Sequence, residues 1–321
     1  MNVFLNELTT KIRKNKNIII MTHRYMDLDG FGAALGLAKV LEKYNRNPKI
    51  IINKDEADGT ILKALKKLST KVKFDFIKKE KLNDLPLEGY LLIVLDVHKK
   101  EMVEEPELIS KVKETIIIDH HVKGSGKITK TEISLITTSV SSTVEIMVNY
   151  LKKEKMNVEP VIATIMLAGM YIDTNNFNVK TTSDTFKAAS YLMENGANNI
   201  LKQELFQENK KIFLRRQKLL KNSFMFKKNL IICTLDQNIY KPSDLAKIAE
   251  ELLQFEEVEA SFVIGKLENS IVGVSSRSLG KINVGKVMEK LGGGGHKTDA
   301  ATKLEKTTIT KVKEQITNIL K

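Results

Sequence analysis

Cysteine, tryptophan, proline and arginine are all scarce. The 321 residues contain one cysteine, no tryptophan, five prolines and only six arginines among 52 basic side chains. With Cys233 as the lone thiol, neither a disulfide framework nor a thiolate zinc site can be built. A reducing cytoplasm is then the simplest compartment. The longest uncharged apolar stretch, residues 161–172, runs 12 residues, short of the roughly 20 that a membrane-spanning helix needs. The opening MNVFLNELTTKIRKNKN has no apolar segment of the signal-peptide kind. Aromatics are 6%, and no cluster of them forms a stacking platform for a long single strand. No long nucleic acid is therefore expected as a partner.

What is present is ordinary globular material, 42% apolar and 28% charged, long enough for two domains. The net charge is +13. The lysines are scattered, as on a solvated surface, but an anionic ligand is favoured over a cationic one. The oligomeric state is open, and a homodimer is compatible with the sequence.

The first half alternates strand and helix signals. Short apolar runs at 17–22, 49–52, 73–77, 90–95 and 115–118 are interleaved with helical periodicity at 31–44 and 60–68. Continuous apolar runs suit strands buried on both faces of a parallel sheet, so an α/β domain with helices on both faces is expected. Residues 141–222 read as mostly helical, at 141–153, 160–172, 183–194 and 208–222. Beyond them come strands at 229–235, 258–267 and 270–276 and helices at 283–291 and 309–320. This predicts a catalytic domain over 1–195, a solvated helical connector over 196–223 and a smaller α+β domain over 224–321.

Chemistry concentrates at strand ends. There are five histidines, and four lie close to an aspartate just past a predicted strand or in a glycine-rich turn. His23, Asp27 and Asp29 follow the first strand. Asp96 ends the run YLLIVL, with His98 two residues on. Asp119, His120 and His121 end TIII. Asp173 follows the apolar helix through Leu167–Met170. Asp29 could simply cap the next helix, and Asp96 or Asp173 could terminate an element. Yet several carboxylates and imidazoles converging on the carboxyl edge of one sheet, where ligands bind, are costly to bury without a cation. Oxygen and imidazole donors without thiolate suit Mn, Mg, Fe or Zn, with Mn or Mg natural for phosphate chemistry. The count allows two ions sharing one carboxylate, with a water activated between them.

Gly30, Gly32 and Gly36 form GxGxxxG, one residue too long for a dinucleotide fingerprint; these small residues are expected to let the helix approach the sheet. In the second domain, Gly292–Gly295 followed by His296 suggests a backbone nest for an anion. Ser275, Ser276, Arg277 and Ser278 could add a phosphate contact.

In order along the chain, these motifs resemble the DHH phosphoesterase superfamily, a DHH domain followed by the DHH-associated domain, over essentially the whole length. The segment His23-Arg24-Tyr25-Met26-Asp27-Leu28-Asp29 is similar to that of membrane-anchored cyclic-di-AMP phosphodiesterases, as are residues 141–145, 167–174 and 294–302. Those enzymes carry transmembrane helices, a sensory domain and a degenerate cyclase-like domain first. None precedes Met1, so the expectation is a free-standing form or a catalytic portion, and membrane location and sensory regulation are not carried over. The resemblance implies one metal site of His23, Asp27 and Asp96, and a second of Asp29, Asp96, His120 and Asp173, with two Mn2+ or other divalent ions. Asp119 would support the ligands and His121 would face the scissile phosphate. Arg277, Gly293, Gly294, Gly295 and His296 would hold the nucleotide. The implied activity is hydrolysis of cyclic di-AMP to 5′-pApA. The alternatives are a nano-RNase or pApA hydrolase releasing AMP, or a nucleotide-binding module without catalysis.

Overall fold

The apolar runs of the first half pair side by side. In the computed structural model, which describes residues 1–124 and 126–321, β1 (Asn17–Met21), β2 (Lys49–Ile51), β3 (Asp75–Ile77), β4 (Tyr90–Leu95), β5 (Glu114–Asp119) and β6 (Ile133–Ile136) form a sheet in the order β3-β2-β1-β4-β5-β6. Every neighbouring pair is parallel. The runs are continuous because both faces are covered. Ile18, Ile20, Leu91, Ile93, Ile116 and Ile118 join one core, and Ile19, Met21, Leu92, Val94 and Ile117 join another.

The helices of this part are α1 (Asn2–Lys14), α2 (Leu28–Lys43), α3 (Gly59–Ser69), α4 (Leu108–Lys111), α5 (Thr143–Lys153), α6 (Pro160–Asp173), α7 (Ser183–Glu194) and α8 (Asn199–Phe206). The long ones pack on the first core. The second face carries α4, the 3-10 turn at Lys79–Asp84 and connecting segments around Val97 and Val103. The strand order turns back between β1 and β4. Their carboxyl ends therefore flank a crevice of the kind where open parallel sheets bind ligands.

The glycines of α2 serve a different contact from the one expected. A Cβ on Gly32 would lie 3.0 Å from the Met166 Cα, and one on Gly36 2.7 Å from the Met166 side chain. They let α2 abut α6 rather than the sheet. From the other side, a Cβ on Gly169 of α6 would meet the Leu28 carbonyl at 2.5 Å and the Asp29 Cα at 2.8 Å. Backbone cannot yield as a side chain can. Gly169→Ala should therefore lose about 1–3 kcal/mol of stability and weaken metal binding through Asp29. Urea denaturation checks the first effect; an unchanged midpoint would show that the contact is soft.

The chain divides into two compact units, Met1–Gln207 and Glu208–Lys321. Residues 196–223, expected as one solvated connector, instead divide between them. α8 lies in the first unit and α9 (Lys210–Leu220) in the second. Arg216 of α9 is buried between Glu208 and Glu251, at 2.7 and 2.6 Å.

In the second unit β7 (Ser223–Lys227), β8 (Leu230–Ile239), β9 (Ala260–Glu268), β10 (Ile271–Ser278), β11 (Gly294–Gly295) and β12 (Asp299–Glu305) form a sheet in the order β11-β12-β10-β9-β8-β7. All pairs are antiparallel except β8–β9. α10 (Pro242–Leu252) packs on one face, and α11 (Val284–Glu289) and α12 (Ile309–Leu320) on the other. Among the described residues no helix is long and apolar enough to cross a membrane.

Candidate metal centre

The loop after β1 carries the first donors. His23 places Nδ1 2.7 Å from the Arg24 carbonyl. A carbonyl only accepts, so the proton belongs on Nδ1, and Nε2 presents its lone pair. That Nε2 lies 3.6 Å from Oδ1 of Asp27 and 3.5 Å from Oδ2 of Asp96. The cap of α2 is Asp27, not Asp29: its carboxylate accepts from the amides of Asp29 and Gly30 at 2.9 and 3.0 Å. A Cβ on Gly30 would stand 3.5 Å from both His23 Nε2 and Asp96 Oδ2, so glycine keeps that gap clear.

Asp29, fully buried, is held from the far side of the sequence. Its two oxygens accept from the amides of Thr143 (2.8 Å) and Val144 (2.9 Å), the first turn of α5. A helix N-terminus favours an anion there. The Thr143 hydroxyl also donates to Oδ1 of Asp96 at 2.9 Å. α5 is braced in turn by Glu145, which accepts from Ser141 and from the Thr185 hydroxyl. Residue patterns had flagged 141–145 without giving Thr143 a task. Only the fold shows that its backbone and hydroxyl serve two different aspartates.

Asp96 sits at the centre. Its φ is 63°, the left-handed region that costs a non-glycine residue of order 1–3 kcal/mol and is concentrated at functional sites. Oδ2 faces His23, while Oδ1 lies 3.4 Å from Nε2 of His120 and 3.7 Å from Nδ1 of His121. His120 Nε2 also stands 2.9 Å from Oδ2 of Asp173 and 3.9 Å from Oδ2 of Asp29. That nitrogen is buried and, among the described residues, lacks the alignment of any hydrogen bond.

The donor atoms fall into three close groups: His23, Asp27 and Asp96; Asp29, His120 and Asp173; and Asp96, His120 and His121. Atoms sharing an ion at about 2.1 Å stand roughly 3–4 Å from one another, which these separations match. Most are too long for hydrogen bonds. The residues fit divalent cations, and Asp96 belongs to more than one group.

The electrostatics agree. Burial, then the neighbouring charges of Asp173 and Asp96, push the Asp29 carboxyl well above the usual range. Burial raises Asp173 as well, against the pull of His120. Burial opposes ionisation of Asp96, but His120 and His23 hold it well below the usual range. Burial opposes the charge of His23 and His120, but Asp27 and Asp96 outweigh it at His23, and Asp173 and Asp96 at His120, drawing both upward. Without a cation the centre shares protons among crowded acids; with one, the acids can all ionise.

Asp119, fully buried, stands behind this centre. Its Oδ1 accepts from the His121 amide at 3.1 Å and lies 2.7 Å from His121 Nδ1, while Oδ2 pairs with His98 Nδ1. Burial opposes its charge, but the two imidazoles hold it well below the usual carboxylate range. His121 is raised, since Asp119 and Asp96 outweigh its burial.

Thr143→Val keeps the shape of the side chain and both backbone bonds to Asp29 but removes the hydroxyl on Asp96. A roughly tenfold loss of metal affinity is expected. Calorimetric Mn2+ titration of the two proteins measures it; equal affinities would deny the hydroxyl this role.

In the second unit the sheet register aligns Arg277 with Asp299 and places His296 beside it, its amide donating to the Asp299 carbonyl at 2.6 Å. Arg277 and His296 thus flank Asp299 in one cross-strand row, two strands apart, about 10 Å. The guanidinium already rests on Glu250 at 3.2 Å and on the Ser276 carbonyl at 3.0 Å. The glycine run does not form the nest expected of it. The amides of Gly292 and Gly293 donate to Glu289 and Met288, closing α11, and Gly294 and Gly295 pair with β12. Gly293 and Gly295 are required by packing: a Cβ would lie 2.3 Å from the Ala301 carbonyl or 2.4 Å from the Ala300 Cα. Above Gly294 there is open space.

Comparison with known proteins places these features in context. The DHH family, N-terminal domain, matches residues 17–170, and the DHHA1 domain matches residues 227–321. The cyclic-di-AMP phosphodiesterase GdpP of Bacillus subtilis is 32% identical over 324 residues, covering 98% of this chain and 49% of that protein. The cyclic-di-AMP phosphodiesterase PdeA of Listeria monocytogenes is also 32% identical, over 98% of this chain and 49% of its own length. The chain thus spans about half the length of these curated relatives. In fold it is similar to an exopolyphosphatase-related protein from Bacteroides fragilis, with a TM-score of 0.84 at 19% identity over 99% of this chain and 96% of that one.

Proposed function

The chain belongs to the DHH family, and we propose that it is a metal-dependent phosphodiesterase that opens cyclic di-AMP to linear 5′-pApA. One observation carries the reading: Asp96 turns Oδ2 to His23 and Oδ1 to His120, so a single carboxylate serves two donor groups. His23, Asp27 and Asp96 would hold one ion, and Asp29, Asp96, His120 and Asp173 the other, with Mn2+ the natural choice for oxygen and imidazole donors at a phosphate. Bound ions would supply an acidified water and offset the charge that builds on phosphorus during an in-line displacement.

The chain's own groups do the rest. Asp119 orients His121 by holding its Nδ1 proton. The raised affinity of His121 for a second proton keeps the imidazolium accessible near neutrality, so Nε2–H can donate to a phosphate oxygen or to the departing 3′ oxygen. Hydrolysis adds water across one P–O3′ bond, leaving a 5′-phosphate and a 3′-hydroxyl. Similarity to two cyclic-di-AMP phosphodiesterases supports this substrate, and the basic net charge suits it.

Product analysis with Mn2+ and with a chelator, on cyclic di-AMP, cyclic di-GMP, pApA and adenylate oligomers, tests the proposal. Metal-dependent formation of pApA from cyclic di-AMP is expected. AMP from pApA with no action on the cyclic compound would instead favour a nano-RNase, and efficiency rising with length an exonuclease. His296, as a nucleotide contact, gives a separate expectation: His296→Ala raises KM about tenfold with bound metal unchanged. Loss of an ion in that variant would overturn the assignment.

A further inference from the structure

His98 is a buried titratable side chain that neither metal group uses. It is 2% exposed. Its Nδ1 pairs with Oδ2 of Asp119, and its buried Nε2 has no hydrogen-bond partner among the described residues. Among the described residues its side chain therefore has one polar connection, to Asp119, and through the other oxygen of that carboxylate to Nδ1 and the amide of His121. We propose that His98 is a positioning residue for catalysis, fixing through Asp119 the ring orientation and tautomer of His121. The inference rests on the reading that His121 faces the scissile phosphate.

Three physical points support it. A carboxylate only accepts hydrogen bonds, so both Nδ1 atoms must carry their protons. In either protonation state of His121, its Nδ1–H then donates to Asp119 and Nε2 is the atom turned to substrate. Second, a carboxylate held on one oxygen alone can rotate about its Cβ–Cγ bond. His98 clamps the opposite oxygen and removes that freedom, as outer partners do for ligating histidines. Third, burying the His98 Nε2 without a partner carries a desolvation penalty. A residue chosen only to fill space would avoid it.

Two substitutions separate this role from packing. His98→Phe keeps the ring and removes the donor; His98→Asn loses volume but can offer its amide N–H to Asp119. The phenylalanine variant should lose about 10- to 100-fold in kcat, with KM and bound metal nearly unchanged, and the asparagine variant should recover most of that loss. In a His121→Ala background, His98→Phe should have little further effect, because its route of action is gone. Nitrogen-15 histidine spectra give a readout that needs no substrate: His121 should show the Nδ1–H tautomer in the wild type and lose it in His98→Phe. An unchanged His121 signature, multiplicative losses in the double variant, loss of metal in His98→Phe, or asparagine no better than phenylalanine would each overturn the proposal. Failure of the substrate reading looks different: the wild type itself would not hydrolyse cyclic di-AMP, while the spectra would still report on His98.

Discussion

Asp96→Asn should reduce turnover by about 1000-fold or more and weaken metal binding at both groups. Asparagine is the informative replacement because it tolerates the left-handed backbone found at this position, φ 63°. The fold should survive, so the loss reports on the carboxylate. An amide keeps one acceptor oxygen, and its NH2 would face either His23 or the His120 side, where Asp96 now offers oxygens at 3.5 and 3.4 Å. A neutral bridge with one donor end cannot neutralise two ions. Forfeiting several kcal/mol of charge stabilisation corresponds to about three powers of ten in rate. Metal content by elemental analysis and kcat/KM at saturating Mn2+ measure both effects. Two tightly bound ions and a near-normal rate would remove Asp96 from the centre.

Much of the first unit was legible because its strands are buried on both faces. NIIIM, YLLIVL and the III of β5 carry no alternation to misread, and an acidic or imidazole residue follows each. The histidine and aspartate clusters could then be placed on one sheet edge without coordinates. β6 was missed: its ISLI is a short edge strand, only half-buried. β12 was missed because DAATKLE has small and polar residues where a strand usually shows branched ones; pairing with β10 makes it a strand. α1 and α10 were also unanticipated: α1 has no side-chain cap, whereas α10 does carry a start signal, Pro242 at its first position and Asp244 accepting from the Lys241 amide.

Contacts between distant segments were the least legible. Thr143 lies 114 residues from Asp29 and 47 from Asp96, and nothing local announces that a helix start will grip both. The glycines of α2 were recognised as small but assigned to the wrong neighbour, since composition cannot say whether a helix or a sheet lies alongside. The run Gly292–Gly295 suggests an anion nest in the sequence, whereas in the fold the amides of Gly292 and Gly293 close α11 and Gly294–Gly295 pair with β12. His98 had no assigned role because its partner, Asp119, is 21 residues away.

Asp173→Asn should change sign with metal. In the metal-free protein burial raises the Asp173 carboxyl, with Asp27 and Asp96 adding to it and only His120 opposing. A raised carboxyl means that the folded state resists its ionisation. The sign follows by linkage: such a group binds more protons when folded, so its contribution to stability declines as pH climbs past the unfolded value toward the folded one. At neutral pH the asparagine variant, which never ionises, escapes that penalty and should be as stable as the wild type or more so, by up to about 1–2 kcal/mol. The loss of its pairing with His120 at 2.9 Å is the opposing effect, and the net upward shift shows which prevails. With Mn2+ the order inverts. A bound ion would stabilise the wild type by about 2.7 kcal/mol at one hundred times its dissociation constant, and a variant lacking one proposed anionic ligand should bind it less. Activity should fall about 100-fold or more, with the His23 group still loaded because Asp173 is no part of it. Thermal unfolding of both proteins with chelator and with Mn2+ tests this. A variant less stable by the same amount in both conditions would mean that Asp173 is a structural partner of His120 and not a ligand.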